Sequence, residues 1–263
     1  MPRSRAVIVT NQDHADGVRA RFGRSAVLVP LAPNVETDPA AGPGPDTVAR
    51  RDLRERLGAP ADAAVVAFFG FVHPVKGVRY LLAALADIRR ERPGTRLVVV
   101  GGFASRALPE REAAAFRQEL AARAAALGVA GAVTFTGYLP AGEVSAILAG
   151  ADACALPFTA GVTTKSGALL TALARGLPTV VTAADPPDPA LVDGREAVVV
   201  RGVRDPAPLA AGLRRVLGDP ALRARLAAGG RAFARRRTWA ATAAAHARLY
   251  ADVLAGPTSG RPR

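Results

Sequence analysis

Residues 152–176 decide the fold, and they read DACALPFTAGVTTKSGALLTALARG. An apolar run opens this stretch, a loop rich in Gly, Thr and Ser follows, and an Ala/Leu helix pattern closes it at Gly176. Strand, polar loop and helix in this order are the unit of a parallel α/β sheet. Such a loop leaves unpaired backbone N–H groups at the helix start, where the dipole also favours an anion such as phosphate. An equally simple interpretation is that Thr163, Thr164 or Ser166 only caps the helix.

The same alternation of short β-branched runs and longer Ala/Leu/Arg patterns extends over most of the chain. We therefore predict an α/β fold, a doubly wound parallel sheet of the Rossmann-like kind. The predicted strands are 5–10, 26–30, 64–70, 96–101, 132–136, 152–156, 178–182 and 197–201. The predicted helices are 77–92, 109–127, 141–149, 166–175, 206–217, 219–236 and 238–254.

Three parts of unequal size are expected along the chain. Residues 33–46 are rich in Pro, Gly and Asp, which neither a strand nor a helix tolerates well, so they predict a linker. The leading part, 1–40, has about two strands and is too small to bury a core of its own. The main domain is expected over 41–255, and the tail 256–263 is expected to be disordered.

Composition and charge exclude several classes of function. The chain has 263 residues, a net charge of +13 and a single cysteine, Cys154, which reads as a buried strand residue. One cysteine excludes a disulfide framework, and no Cys/His spacing predicts a metal site. The charge calls for an anionic partner, either a phosphorylated substrate or an anionic membrane surface. The arginines lack interleaved aromatic residues, so sequence-specific nucleic-acid binding is not expected.

The sequence also carries an expectation about location. Too few apolar residues follow the first five residues for a signal peptide, and no run approaches the roughly 18 apolar residues of a membrane helix. We expect a cytoplasmic protein, with peripheral association at the inner face of the membrane as a further expectation.

Two more loops follow predicted strands and carry candidate site residues. Residues 70–77, GFVHPVKG, place Lys76 at the carboxyl edge of the sheet, where an ammonium group would stabilise a departing diphosphate; a solvated surface charge is the alternative. His73 can donate to a phosphate or a sugar hydroxyl, although no carboxylate partner supports acid–base catalysis. Gly137 and Tyr138 end another strand and can form a wall for a nucleotide base, or an ordinary turn.

Four segments taken in order, 70–77, 136–139, 151–157 and 172–181, resemble the C-terminal domain of family 4 glycosyltransferases. The resemblance continues through 191–196 and the helix Trp239–Tyr250, and 5–35 resembles the last strands of the family's N-terminal domain. It implies one half of a two-domain GT-B architecture in which this chain binds the nucleotide-sugar donor. It also implies transfer with retention, no metal and no cofactor, and an acceptor-side domain of which only a remnant is present. The acceptor, whether glycan, lipid or small molecule, is not indicated.

Carried over position by position, Lys76 resembles the family's diphosphate lysine, and the amides around Val162, Thr163 and Thr164 resemble its phosphate site. We predict Lys76 and Thr163 as catalytic residues. The predicted donor-binding residues are Gly70, His73, Lys76, Gly137, Tyr138, Gly161, Val162, Thr163, Thr164, Lys165 and Thr171.

The chain departs from the family at three positions. The usual pair of glutamates falls at Thr163 and Thr171; Thr163 can still bond a sugar hydroxyl, whereas Thr171 is shorter and neutral and would hold a ribose less firmly. Phe71 replaces an arginine, and Lys165 can restore that charge. Two hypotheses follow: a glycosyltransferase whose acceptor domain comes from a partner chain or an upstream extension, or a non-catalytic module that binds a phosphorylated ligand or a protein. No GxGxxG loop supports a dehydrogenase, and no carboxylate pair supports a glycosidase.

Overall fold

A computed structural model describes residues 4–35, 46–104 and 108–255. It confirms a parallel α/β fold of the Rossmann-like kind. The leading part holds β1 (Ile8–Val9), α1 (Gln12–Phe22) and β2 (Val27–Leu28). The main part follows with α2 (Thr47–Arg56), β3 (Val65–Phe69), α3 (Val78–Glu91), β4 (Arg96–Val100), α4 (Glu110–Ala126), β5 (Val133–Gly137), α5 (Ala141–Gly150), β6 (Ala153–Leu156), α6 (Gly167–Arg175), β7 (Thr179–Thr182), β8 (Val198–Val200), α7 (Pro206–Gly218), α8 (Pro220–Ala234) and α9 (Trp239–Ala255).

The main sheet has six parallel strands in the order β5-β4-β3-β6-β7-β8. The chain moves outward from β3 to β5, then returns to the other side of β3 with β6 and moves outward again. The strand order therefore reverses between β3 and β6, and the loops that follow these two strands diverge there. In open α/β sheets this topological switch point is where a ligand crevice forms.

The core is apolar on both faces of the central strands, as a doubly wound sheet requires. Every residue of β6 is buried, and so are Val65–Phe68 of β3 and Leu97–Val100 of β4. One group of helices packs α3 against α4 and α7, and another packs α5 against α2 and α6. Because β6 and the buried face of α6 are both rigidly packed, the loop between them starts and ends at well-defined points.

A buried ion cluster ties α2 to the start of the sheet. Asp152 accepts hydrogen bonds from the Val65 amide at 2.8 Å and from Arg54 at 2.7 Å, and it also pairs with Arg50. The Arg54 side chain is 5% exposed and also donates to the Gly150 carbonyl at 3.3 Å. The cluster therefore joins α2, α5 and the β3–β6 pair at the edge opposite the switch-point loops.

The leading part differs from the prediction. Its two predicted strands, 5–10 and 26–30, shorten to two residues each, and helix α1 between them was not predicted. The sequence does carry its caps, since Asn11 accepts from the His14 amide and Gly23 takes the left-handed conformation. Its apolar pattern is weak, and so is that of α2, which was also missed.

The predicted linker is described only in part. Residues 36–45 of that linker and the tail 256–263 lie outside the described residues, so the division into domains stays a prediction. Residues 33–35 are described, and the Trp239 indole donates to the Pro33 carbonyl at 3.0 Å. Within the described ranges, no helix is long and apolar enough to cross a membrane.

Candidate functional site

The loops after β3 and β6 touch each other at the switch point. The Thr159 amide donates to the Val75 carbonyl at 2.9 Å. Gly77 has φ +71°, and a Cβ there would overlap the Pro157 carbonyl, so only glycine allows this close approach. We call the space bounded by these two loops and the first turn of α6 the crevice.

Both lysines of the chain stand at the crevice, although the sequence contains 33 arginines. The Lys76 Nζ lies 3.7 Å from the centroid of the Phe158 ring, a cation–π contact. Partial burial lowers the pKa of Lys76, and the positive charge of Lys165 lowers it further. Neither lysine has a carboxylate partner among the described residues. Two cations that repel each other without an internal counter-charge form a place for an anion.

The first turn of α6 borders the same space. Ser166 caps the helix by accepting from the Leu169 amide at 3.3 Å. Within the described part of the chain, the amides of Lys165, Gly167 and Ala168 have no hydrogen-bond acceptor. Gly70 faces this turn, since a Cβ on it would lie 3.8 Å from the Ala168 Cβ. Free amides, a helix dipole and two lysines therefore meet at one point.

The free amides coincide only in part with the ones that the sequence predicted. The Val162 amide donates to the Thr182 carbonyl at 2.9 Å, and the amide and hydroxyl of Thr164 donate to Asp188 at 2.8 and 2.9 Å. These two donors are satisfied inside the protein, whereas the amide of Thr163 has no hydrogen-bond acceptor among the described residues. Gly161 has a structural role, because a Cβ there would overlap the backbone of Ala184. Sequence reasoning missed Asp188, which lies in a proline-rich turn with no motif around it.

Thr163 and Thr171 are not placed as expected. The Thr163 hydroxyl oxygen is buried and has no hydrogen-bond partner among the described residues. Thr171 is 1% exposed, and its hydroxyl accepts from the amides of Asn34 at 3.1 Å and Val35 at 3.2 Å. Both lone pairs of this hydroxyl are occupied, so it cannot accept a bond from a ribose. Both hydroxyls are thus covered by the protein itself, and ligand contact by Thr163 or Thr171 stays a prediction.

His73, Gly137 and Tyr138 lie at the same edge of the sheet. The His73 Nδ1 accepts from the Val75 amide at 3.2 Å, which caps the 3₁₀ turn Pro74–Lys76 and leaves Nε2 to face outward as the donor when the ring is neutral. Gly137 has φ +71° and turns the chain at the end of β5. Tyr138 is 81% exposed, so the half-buried turn residue that the sequence allowed is not found. In the sheet, β5 is two strands from β3, about 10 Å at the usual spacing between strands.

Metal ligands do not assemble at the crevice. Over residues 4–35, 46–104 and 108–255, no group of three or more His, Cys, Asp or Glu side chains is arranged to hold a metal ion. The chemistry available at the crevice is therefore positive charge, amide donors and the His73 ring.

Fold and site together define the class: a Rossmann-like domain of GT-B type with two lysines and unpaired helix amides at its switch point. Residues 49–233 match the family model described as glycosyl transferases group 1, and the chain belongs to this family. It is 33% identical to the D-inositol 3-phosphate glycosyltransferase of Xylanimonas cellulosilytica over 98% of this chain and 58% of that protein. It is 34% identical to the GDP-mannose-dependent alpha-(1-6)-phosphatidylinositol monomannoside mannosyltransferase of Mycolicibacterium smegmatis, over 81% of this chain and 53% of that protein.

Solved structures share the fold at low sequence identity. Sucrose-phosphate synthase from Thermosynechococcus elongatus superposes with a TM-score of 0.74 at 23% identity, over 97% of this chain and 60% of that one. Anabaena HepE in complex with UDP and glucose gives 0.74 at 20% identity, over 95% and 63%. The chain thus spans somewhat more than half the length of the proteins that it resembles.

Proposed function

We propose that this chain is the donor-binding part of a retaining family 4 glycosyltransferase, which transfers a sugar from a nucleotide diphosphate sugar to an acceptor. The single observation that carries the proposal is the meeting of Lys76, Lys165 and the free amides of α6 at the switch point. A diphosphate has the charge that this arrangement lacks. Membership of a glycosyltransferase family supports the proposal, and so do the named substrates of the relatives.

The proposed chemistry needs only charge and position. As the sugar C1–O bond breaks, its electron pair moves onto the β-phosphate oxygen, while the acceptor hydroxyl forms the new bond to C1 and passes its proton to that departing phosphate oxygen. Lys76 and Lys165 neutralise the negative charge that grows on the leaving diphosphate, and the α6 amides donate to its oxygens. These groups are held in place before the donor arrives, so little reorganisation is needed during the reaction.

The acceptor side requires more protein than the leading part supplies. In β2, Val27 and Leu28 point to opposite faces, and they are 41% and 43% exposed. Helix α1 contacts this small sheet and Val9 is buried, but a two-stranded parallel sheet with an exposed β2 is not stable by itself. We propose that a second α/β unit packs on β1 and β2 and binds the glycan, lipid or small-molecule acceptor, either as a separate chain or as more of the same polypeptide. Cytoplasmic location and peripheral contact with an anionic membrane remain part of the proposal.

A second candidate is a non-catalytic module that binds a nucleotide or another phosphorylated ligand. The burial of Thr163 and Thr171 favours it, because the Thr163 hydroxyl oxygen is out of solvent and the Thr171 hydroxyl already accepts from two backbone amides. Such a module would hold the diphosphate and would not cleave the sugar–phosphate bond.

Calorimetry with UDP, GDP and ADP sugars tests the donor site. Lys76→Ala should weaken the binding of the preferred donor by roughly 10- to 100-fold, the size of a charge-assisted hydrogen bond. Arg79→Ala is the matched control, since Arg79 lies one turn further on and pairs with Glu119 at 2.8 Å. Failure of the wild-type chain to bind any of these nucleotides would reject the proposal. Donor hydrolysis or transfer would separate the enzyme from the binding module.

Lysine labelling gives an independent test. The chain has only two lysines, so acetylation followed by mass spectrometry reports on the crevice directly. A bound nucleotide diphosphate should slow the modification of both Lys76 and Lys165. If neither lysine is protected, the nucleotide diphosphate binds elsewhere than at the crevice.

A further inference from the structure

The segment just before residue 36 is held firmly against α6. The amides of Asn34 and Val35 both donate to the buried hydroxyl of Thr171. On the other side, Trp239 donates to the Pro33 carbonyl, and Thr242 donates to the Pro30 carbonyl at 3.1 Å. Residues 30–35 are therefore fixed between α6 and α9 by backbone hydrogen bonds. Ala32, Pro33 and Val35 are buried there, whereas Asn34 is exposed.

The side chain of Asn34 lies directly against the start of α6. A Cβ on Gly167 would overlap the Asn34 carboxamide, and Gly167 follows the cap Ser166 as the first residue of the helix. Gly167 has a helical backbone, so its lack of a side chain serves this close approach and no unusual φ angle. The carboxamide reaches the turn whose amides are unpaired.

Asn34 itself is exposed, and its carboxamide makes no hydrogen bond within the described part of the chain. A fixed backbone, a glycine that makes room and a free carboxamide together place one donor and one acceptor at the mouth of the crevice. A phosphate can use only donors, which the lysines and amides already supply. A hydroxyl group uses a donor and an acceptor together, and a carboxamide offers both.

We infer that the Asn34 carboxamide is a donor-binding group that recognises a hydroxyl of the nucleotide sugar, and that Thr171 is the positioning residue that holds it there. This inference rests on the proposed function. Polar recognition beside α6 then comes from the leading part of the chain, and the hydroxyl of Thr171 acts through the backbone of Asn34. The bound hydroxyl belongs either to the ribose or to the transferred sugar.

The test is equilibrium binding of three ligands to the wild-type chain and to Asn34→Ala: the preferred nucleotide sugar, its nucleoside diphosphate, and the 2′,3′-dideoxy nucleoside diphosphate. Asn34→Ala should weaken nucleotide-sugar binding by roughly 3- to 10-fold, the effect of one neutral hydrogen bond. If Asn34→Ala also loses affinity for the nucleoside diphosphate but not for its dideoxy form, the hydroxyl that Asn34 binds belongs to the ribose. A loss seen only with the nucleotide sugar assigns the transferred sugar.

Further variants separate positioning from folding. Thr171→Val should weaken the binding of the same nucleotide sugar, and Thr171→Ser should keep the wild-type affinity. In the double variant, Thr171→Val should add no further loss of affinity to that caused by Asn34→Ala. Gly167→Ala should displace the carboxamide and lower affinity, whereas Gly142→Ala, whose added Cβ meets open space in α5, should not. Gln118→Ala, which removes an exposed carboxamide from α4, is the control for Asn34.

The outcomes are distinct. Equal affinity of the wild-type chain and Asn34→Ala for all three ligands would overturn the inference and leave the proposed function intact. Additive losses from Thr171→Val and Asn34→Ala would overturn the positioning role of Thr171. No binding by the wild-type chain would overturn the proposed function and this inference together.

Discussion

Lys76 combines a stabilising contact with an electrostatic cost. Its ammonium group stacks on Phe158, but burial and the neighbouring Lys165 both disfavour the charged form and lower its pKa. An anion that enters the crevice removes this cost, so part of its binding free energy comes from relief of repulsion. The electrostatic repulsion at this site is therefore greatest without a ligand, and a bound anion reduces it.

We predict that Lys76→Met raises the melting temperature of the ligand-free protein at pH 7 while it weakens donor binding. The folded state of the wild type binds its Lys76 proton less tightly than the unfolded state does, so its stability should rise as the pH increases from the lowered pKa of Lys76 toward the ordinary value. Thermal scans across that alkaline range should show this rise in the wild type and a smaller one in Lys76→Met. A lower melting temperature for the variant at pH 7 would contradict the prediction.

Cys154 gives a residue-level probe of opening. It is fully buried in β6 between β3 and β7, and burial raises the pKa of its thiol to about 12. We predict that Ellman's reagent fails to react at pH 8 without denaturant, because the thiolate is absent and access requires unfolding. Stopped-flow labelling in increasing urea measures this, and a saturating nucleotide sugar should slow the reaction. Fast labelling of the native chain would argue against a rigid β6.

At the scale of elements, α6 is the helix whose two ends the sequence marks most clearly. The predicted span 166–175 compares with Gly167–Arg175, with Ser166 as its cap and Gly176 in the left-handed conformation beyond its end. The helices α1 and α2 were missed because their residues are mostly polar and their apolar spacing is weak. Contacts stabilise α2 where periodicity does not, through Arg54, Asp152 and the packing of α2 on α5.

Asp152→Asn tests how much that cluster contributes. Removing the charge leaves the buried Arg54 without its counter-ion, so we expect the free energy of unfolding in urea to fall by about 3 kcal/mol. Asp52→Asn is the matched control, because the Asp52–Arg51 pair is exposed and should change stability by less than about 1 kcal/mol. Equal effects of the two substitutions would mean that the cluster is no stronger than a surface pair.

At the scale of the whole molecule, charge and exposed apolar surface point to two different partners. The net charge of +13 favours the binding of anionic ligands. The exposed apolar side chains of β2 favour contact with another protein surface. Phe22 of α1 is 44% exposed beside this small sheet. The proposed donor site and the exposed residues of β2 share no side chain, so mutation should separate them.

We predict that the double variant Val27→Thr, Leu28→Thr keeps donor affinity but loses association through the leading part. Threonine retains β propensity and makes both faces of β2 polar. Sedimentation velocity over a range of concentrations should show weaker self-association than the wild-type chain, and calorimetry should show an unchanged donor dissociation constant. Unchanged self-association would mean that β2 is not part of the interface. An altered donor affinity would mean that β2 and the donor site are coupled.

The sequence by itself determined the alternation of strands and helices and the position of the strand–loop–helix unit at 152–176, because both depend on local periodicity. It also determined that Lys76 and Lys165 lie on neighbouring loops, because the loops that follow parallel strands share one edge of the sheet. Which amides are free was decided only by tertiary structure, since Thr182 and Asp188 satisfy the donors of Val162 and Thr164 from distant parts of the chain. The same holds for Thr171 and Asn34, which are 137 positions apart and meet only in the folded protein. Hydrogen-bond partners and burial depend on which segments pack together, and no local pattern encodes that pairing.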